Sequence, residues 1–369
     1  MKSIMPILFI LVFLSVLVIA NVYLSKRFAF YFNFYKAKIF YFIFAATTVF
    51  MIAGITIFSN TQSEFGNIFY VVASFVLGFM LYLLLSVLFV DLINLIFKIQ
   101  AKHIGILVLA LSVSVSIYGV INAFTIRKTE IEVPVANLKN EIRIVHLSDM
   151  HIGHFRGKNF VQKVVNKTIS LNPDIVVITG DLFDGKINLK AENLEQLKQI
   201  KAPIYFVEGN HDNYTGIKTI KSYLRNIGII VLENEIIEYE NLQIIGLNHL
   251  RANRHTRDIH ASNSYSIEEA LDSIAIDSLK PSILLHHSPE GIEYAYNHGV
   301  DLYLSGHTHA GQIFPINLIT NMMFPYNKGL HEYQKTKIFV SQGVGTVGPP
   351  MRVGTRSEVV LIRLTPKNN

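Results

Sequence analysis

The sequence predicts a chain of two parts, four membrane-crossing helices followed by one α/β domain. Three observations predict it. Residues 1 to 124 hold only nine Lys, Arg, Asp and Glu, so this third has the composition of membrane rather than of a soluble core. Beyond it, five short apolar runs each stop at a cluster of Gly, Asp, Asn or His. Between those runs lie apolar stripes at helical spacing, the alternation that a layered α/β domain requires.

Four uncharged spans stand out in the membrane domain, residues 1–125: Ile4 to Leu24, Ile39 to Phe58, Ile68 to Val90 and Ile104 to Phe124. Each has the roughly 20 residues that a helix needs to cross ~30 Å of hydrocarbon. The first is longer than a signal-peptide core, and Val18-Ile19-Ala20 is a poor cleavage site. Asp91 directly follows the third span and is expected at an interface. Basic residues set the expected orientation. Lys26, Arg27, Lys36 and Lys38 fall in the first loop and Lys98 and Lys102 in the third, against Glu64 alone in the second. Loops one and three are therefore expected in the cytoplasm and the following domain on the extracytoplasmic face, although Lys2, Arg127 and Lys128 pull mildly the other way.

Seven of the nine charges in this third are basic and two acidic, which accounts for +5 of the chain's +6 and leaves +1 for everything after residue 124. The basic balance thus belongs to the membrane part, and no nucleic-acid partner is expected. The chain has no cysteine, which excludes thiol catalysis, disulfides and thiolate-bound zinc.

Residues 126–140, with Pro134, read as a short polar linker that keeps the next domain, residues 141–369, near the bilayer. Ile142, Ile144 and Leu147 alternate with polar residues and read as a strand that stops at Ser148, followed by Asp149 and His151. The run Asp174 to Thr179 leads into Gly180, Asp181 and Asp184. Ile204 to Val207 leads into Gly209, Asn210, His211 and Asp212. Ser282 to Leu285 leads into His286 and His287, and Asp301 to Ser305 into Gly306, His307 and His309. Ligands in open α/β sheets bind beyond the carboxyl ends of the strands, so these side chains would converge on one crevice, and carboxylates with imidazoles are metal ligands. Phe160, Val161, Val164, Val165 and Ile169 give one helical stripe, and Ile217, Ile220 and Leu224 another. Strands at Leu242 to Leu247, Lys337 to Val340 and Glu358 to Leu364 are expected to supply a second sheet.

Read in order, D-x-H at Asp149, G-D-x-x-D at Gly180, G-N-H-D at Gly209, H-x-P at His287 and G-H-T-H at Gly306 resemble the calcineurin-like metallophosphoesterase family. The resemblance covers roughly Val133 to Leu364, including Gly343 to Thr346 and Pro349 to Arg352, and the four spans resemble its multi-pass membrane subgroup. It implies a four-layer αββα sandwich and two divalent metal ions, with manganese, iron or zinc suiting this mixture of oxygen and imidazole ligands. By motif position it implies Asp149, His151, Asp181 and His309 on one metal, and Asp181, Asn210, His287 and His307 on the other. It also implies metal-assisted hydrolysis of a phosphodiester or phosphomonoester, with His211 as general acid and Asp184 orienting it.

Two segments depart from the family or from a plain loop. Asn248-His249 stand where relatives carry acidic residues, and Arg251 to His260 is basic, with Arg251, Arg254 and Arg257. Ile316 to Pro325, with Met322, Met323 and Phe324, reads by default as a packed loop, with an acyl-chain groove or a membrane-dipping loop as the alternatives. His154, His249, His255 and His260 are expected at the surface or on the substrate side. A protein phosphatase would carry Arg after the second Asp of G-D-x-x-D, where Gly185 stands here. A membrane-tethered enzyme is better matched to a lipid-linked or envelope phosphoester. The alternatives are a hydrolase of a nucleotide-activated lipid of the UDP-diacylglucosamine type, and a catalytically silent membrane scaffold. The oligomeric state is not legible in the sequence.

Overall fold

The computed structural model describes residues 4–33, 38–256 and 262–367. Lys2, Lys36, Arg257 and His260 lie outside the described residues. Two compact units divide the chain, one covering residues 1–120 and 348–350 and the other 121–347 and 351–369.

The first unit is built from α1 (Ile4–Tyr31), α2 (Lys38–Phe58), α3 (Glu64–Phe97) and α4 (Ala101–Phe124), all long and apolar enough to cross a membrane. The α2–α3 pair packs through small residues: a Cβ on Gly54 would lie 2.5 Å from Ala73 Cβ, so only glycine permits this approach. Two helices outrun the uncharged spans. α1 continues to Tyr31 and α3 to Phe97, which places Arg27 and Asp91 inside helices. There they pair, and Asp91 also accepts from Tyr23 Oη at 2.8 Å and Tyr31 Oη at 2.6 Å. A half-buried acid and base that satisfy each other can sit within helices whose apolar run either alone would interrupt.

The second unit contains two six-stranded sheets. Numbering only their strands, in chain order, these are β1 (Ile126–Val135), β2 (Ile142–Leu147), β3 (Ile175–Thr179), β4 (Ile204–Val207), β5 (Ile230–Val231), β6 (Glu235–Tyr239), β7 (Leu242–Gly246), β8 (Ser282–Leu285), β9 (Leu302–Ser305), β10 (Gly329–Tyr333), β11 (Thr336–Val340) and β12 (Ser357–Pro366). One sheet has the order β1-β12-β2-β3-β4-β5 and the other β10-β11-β9-β8-β7-β6. Their central strands are buried on both faces, which is why they read as unbroken apolar runs.

The sheets pack face to face through Ile144, Val177, Tyr205, Ile244, Ile283 and Leu302. The outer face of the first sheet, with Val176 and Ile178, is covered by Phe160, Val161 and Val164 of α5 (Lys158–Ile169) and by Ile220 and Leu224 of α7 (Ile217–Asn226). The outer face of the second, with Ile245, Leu284 and Tyr303, is covered by α8 (Ile267–Ser273) and α9 (Ile292–Asn297). The result is the four-layer αββα sandwich behind four apolar helices. A one-turn helix, α6 (Asn210–Thr215), follows β4.

Two expectations are corrected. Residues 126–135 are not a linker: β1 pairs in parallel with β12 along its whole length, from Ile126 opposite Ser357 to Val135 opposite Pro366. Its alternation of Ile131, Val133 and Val135 with charged neighbours is the period of an edge strand with one buried face. Nor does the strand at 358–364 belong to the second sheet. It lies in the first, antiparallel to β2 with Ile362 opposite Ile144, because Val359 and Leu361 face the helices while Val360, Ile362 and Leu364 face the other sheet. A strand apolar on both faces needs neighbours on both edges.

Candidate metal centre

All nine residues singled out for chemistry follow the carboxyl ends of β2, β3, β4, β8 and β9. In the structure they share one crevice. Asp149, His151 and His309 form one group and Asp181, His287 and His307 another, each with its ligand atoms within 4.8 Å of one another. Asp181 lies between the groups, its Oδ2 3.7 Å from His151 Nε2 and 3.2 Å from His287 Nε2. Asn210 Oδ1 is 3.1 Å from His307 Nδ1. A third group joins His151, Asp184 and His211, with His211 Nδ1 3.0 Å from Asp184 Oδ1.

The loops that deliver these side chains are held in costly backbone conformations. Asp149, His151, Asp181, His307 and His309 all have positive φ, between 47° and 70°. Each left-handed residue other than glycine costs about 1–3 kcal/mol, and such strain persists where surrounding structure over-determines it. Here it is over-determined by backbone contacts: Asp149 N donates to Gly180 O at 3.1 Å, and His151 N to Asp181 O at 3.0 Å. The glycines of the motifs serve close approach. A Cβ on Gly209 would fall 2.2 Å from Asp181 Oδ1, and one on Gly306 2.2 Å from Asp149 Oδ2.

Burial and mutual charge push the protein groups in opposite directions. Burial raises the Asp149 carboxyl to about 6. Burial also opposes ionisation of Asp181, but the imidazoles of His287 and His211 outweigh it and hold that carboxyl well below its usual range. Burial disfavours charge on His211 and His287 too, yet Asp181, with Asp184 for His211 and Asp149 for His287, lifts each to about 9. Burial keeps His151 down at about 4 and His309 well below the ordinary value.

The donor set fits divalent cations. His151 Nε2 faces His309 Nε2 at 3.0 Å and His287 Nε2 faces His307 Nδ1 at 3.2 Å, beside two buried carboxylates. His151 Nδ1 has no hydrogen-bond partner among the described residues. Facing imidazole nitrogens need either a shared proton or a common cation, and a dication in each group would be the largest local charge and would displace the protons.

Three residues without an assigned role support the site. Asp212, fully buried, accepts from the backbone N–H groups of Leu182 at 2.9 Å, Phe183 at 3.1 Å and Gly209 at 3.0 Å, tying two motif loops together. Arg352, also fully buried, donates to Gly345 O at 2.8 Å, to His309 O at 3.3 Å and to Gln342 O. His249 is buried rather than on the surface, its ring 5.5 Å from that of His287 and 5.8 Å from that of His307. The sequence carried a signal for Arg352, a lone Arg in the apolar Pro349–Val353 run. For His249 it carried only the departure from the family at Asn248-His249, and not its burial, which depends on the strands beside it. His154 is buried as well, while His255 is exposed. His286 turns away from the cluster, Nε2 accepting from Leu250 N at 3.1 Å and Nδ1 donating to Ser288 O at 2.8 Å.

A mixed α/β sandwich with clustered carboxylates and imidazoles at its strand ends defines the class as an α/β fold with a candidate metal centre. The family model described as calcineurin-like phosphoesterase matches residues 142–311. An uncharacterized metallophosphoesterase of Campylobacter jejuni is 31% identical over 98% of this chain and 99% of its own length. The chain belongs to the metallophosphoesterase family. A second uncharacterized metallophosphoesterase, from Helicobacter pylori, is 37% identical over 63% of this chain, and a transmembrane protein with metallophosphoesterase domain from Danio rerio is 35% identical over 70% of it. The chain spans 62% of the length of each of these two. The four apolar helices and the transmembrane relative support a membrane location, and family and residue clusters together suggest a binuclear metal site.

Proposed function

We propose that this protein is a membrane-anchored phosphodiesterase-like hydrolase with two metals, manganese, iron or zinc, acting at the extracytoplasmic face on a lipid-linked or envelope phosphoester. The observation that carries the reading is the pair of ligand groups meeting at Asp181. Asp149, His151, Asp181 and His309 would hold one metal, and Asp181, Asn210, His287 and His307 the other, Asp181 bridging with its two oxygens. Bound there, the two ions would neutralise charge on the phosphoryl oxygens and supply an activated water.

The chain's own residues then divide the remaining work. His211 is partly exposed, its side chain at 25%, so it is within reach of a substrate that the fully buried His151 cannot touch. Its Nδ1–H donates to Asp184, which fixes the tautomer and leaves Nε2 as the nitrogen that delivers a proton to the departing oxygen. Asp181 Oδ1 accepts from His211 N at 2.8 Å, so the position of the acid is tied to that of the bridging carboxylate.

The test uses the purified full chain, chelated and reloaded with manganese, with metal content and hydrolysis of bis(p-nitrophenyl) phosphate measured on the same sample. His211→Ala keeps its metal and loses about 10²–10⁴ in turnover, the range of a lost general acid. Asp181→Ala loses metal and turnover together. Full activity in His211→Ala, or no hydrolysis by metal-loaded wild type, overturns the assignment.

A further inference from the structure

The segment from Ala310 to Asn327 contains no Lys, Arg, Asp or Glu. Its helix, α10 (Ile316–Met323), has its amphipathicity reversed. The side facing the protein carries Thr320, which is buried, and Asn317, whose Oδ1 is buried without a hydrogen-bond partner. The side facing out carries Ile316, Leu318, Ile319, Met322 and Met323, with Met322 87% and Met323 68% exposed. Asn321 is the one polar residue on the exposed side, and its Oδ1 accepts from Asn327 Nδ2 at 2.6 Å. A helix that turns two of its three polar residues inward and five large apolar ones outward is arranged for an apolar surrounding.

Two sets of contacts, both within the second unit, say which surrounding. That unit begins at Ile121 and so includes the last turn of α4, the end of the fourth span. In this turn Asn122 Nδ2 donates to Arg352 O at 2.9 Å and to Thr355 O at 2.8 Å. The same short segment receives the start of α10: Phe314 N donates to Val353 O at 2.9 Å, and a Cβ on Gly354 would lie 3.4 Å from Asn317 Nδ2. The last turn of α4 and the start of α10 are therefore held by the same segment, residues 352–355. At its other end α10 reaches the metal-ligand loop. There Phe324 sets its ring edge-on to His307 at 5.8 Å, while at the amino end Gly311 packs so closely that its Cβ would fall 2.4 Å from Asn317 Cα.

We infer that α10 is a membrane-dipping helix, seated in the leaflet that the fourth span enters, and that it presents the crevice with phosphoesters carried on a lipid. The occupant of the apolar face is the acyl layer of the bilayer itself. This rests on the hydrolase reading only for the substrate, not for the membrane contact. Amphipathic helices lie in the interface plane with their apolar side chains among the acyl chains.

The absence of native cysteine makes the test direct. Met322→Cys and Ile319→Cys each carry a single environment-sensitive fluorophore in the full chain, reconstituted into phosphatidylcholine–phosphatidylglycerol vesicles with and without acyl-nitroxide lipid. Leu279→Cys is the control, an exposed apolar site at the opposite, amino end of β8. The α10 labels are expected to shift to the blue and lose intensity to the nitroxide lipid, while the 279 label does neither. Labels at 319 and 322 that remain open to an aqueous quencher overturn the membrane contact. So do labels shielded from both quenchers, which would mean a protein partner on this face.

A paired activity test addresses the substrate. Ile319→Asp/Met322→Asp is expected to lose about a hundredfold on a diacylglycerol-borne p-nitrophenyl phosphodiester, since each of the two withdrawn side chains is worth about a decade in partition. Its rate on soluble bis(p-nitrophenyl) phosphate should not change. Equal loss on both substrates overturns lipid presentation. If wild type hydrolyses neither substrate while the labels are quenched by lipid, the hydrolase reading falls and the membrane contact stands.

Discussion

Replacing Gly306 by alanine isolates the geometry of the proposed first metal ligand without touching any ligand. An added Cβ would come 1.9 Å from Ser148 Oγ and 2.2 Å from Asp149 Oδ2, where real Cβ contacts essentially never fall below 3.0 Å. Ser148 Oγ must therefore retreat by about 1.1 Å and Asp149 Oδ2 by about 0.8 Å. Neither can do so cheaply. Ser148 Oγ is bonded to Asp149 Oδ2 at 2.6 Å and to Thr179 O at 3.2 Å, and the Asp149 carboxylate accepts from His307 N at 3.1 and 3.2 Å. A misplacement near 1 Å at a positioned group costs on the order of 10²-fold in rate, and the overpacking about 1–3 kcal/mol of stability. The assay is metal content by mass spectrometry alongside diester turnover. Gly157→Ala serves as control, because its Cβ would meet nothing closer than Asn188 Nδ2 at 3.5 Å. If Gly306→Ala binds metal at wild-type stoichiometry and turns over at the Gly157→Ala rate, Asp149 is not held as a ligand in this geometry.

Arg352→Met leaves three buried carbonyls without their donor, at about 1–3 kcal/mol each, so thermal unfolding in detergent should shift down by about 10 °C. His146 is fully buried, with Nε2 2.7 Å from Thr179 Oγ1, and burial lowers it from 6.5 to about 3. The unfolded chain therefore takes up this proton first as pH falls, and stability drops between pH 6.5 and 3 by about 1.4 kcal/mol per pH unit. His146→Gln should lose about 2 kcal/mol less than wild type between pH 6.5 and 5 in denaturant titrations; equal losses refute the burial argument. Arg363 pairs with Glu141 at 2.7 Å and Glu132 at 3.1 Å, all partly or well exposed, so Arg363→Ala should change stability by less than about 1 kcal/mol, and high salt should erase the difference.

The sheet strands that carry ligands were legible because each joins an apolar run to an abrupt polar stop, a pattern that needs no knowledge of partners. The crossing helices were legible from the lack of charge, but their ends were not. Arg27 and Asp91 break the run in sequence and cancel only when α1 and α3 are adjacent, a fact of tertiary packing. The strand β1 was hidden for a related reason. Half its residues are charged or polar, and its one buried face is apolar only in company with β12, more than two hundred residues away. The candidate site was legible as a set of motifs, because its residues cluster in short stretches. Its supports were less so. Asp212 looks like one more acid in a motif until the three backbone donors around it are seen, and nothing local marks His249 as enclosed by His286, His287 and His307.

The position of β12 between β1 and β2 has a consequence for how the domain is made. The first of these strands follows the fourth span after a single residue, Thr125, so during synthesis it emerges with that helix. Its only sheet neighbour is the last strand of the unit to leave the ribosome. The ten-residue parallel seam can therefore close only after every other strand has been translated, and until then β1 and one edge of β2 stand unpaired. Deleting residues 357–366 would remove the strand next to the edge and cut β1 off from β2. Premature termination there is expected to leave an anchored, unassembled domain for quality-control proteases to clear.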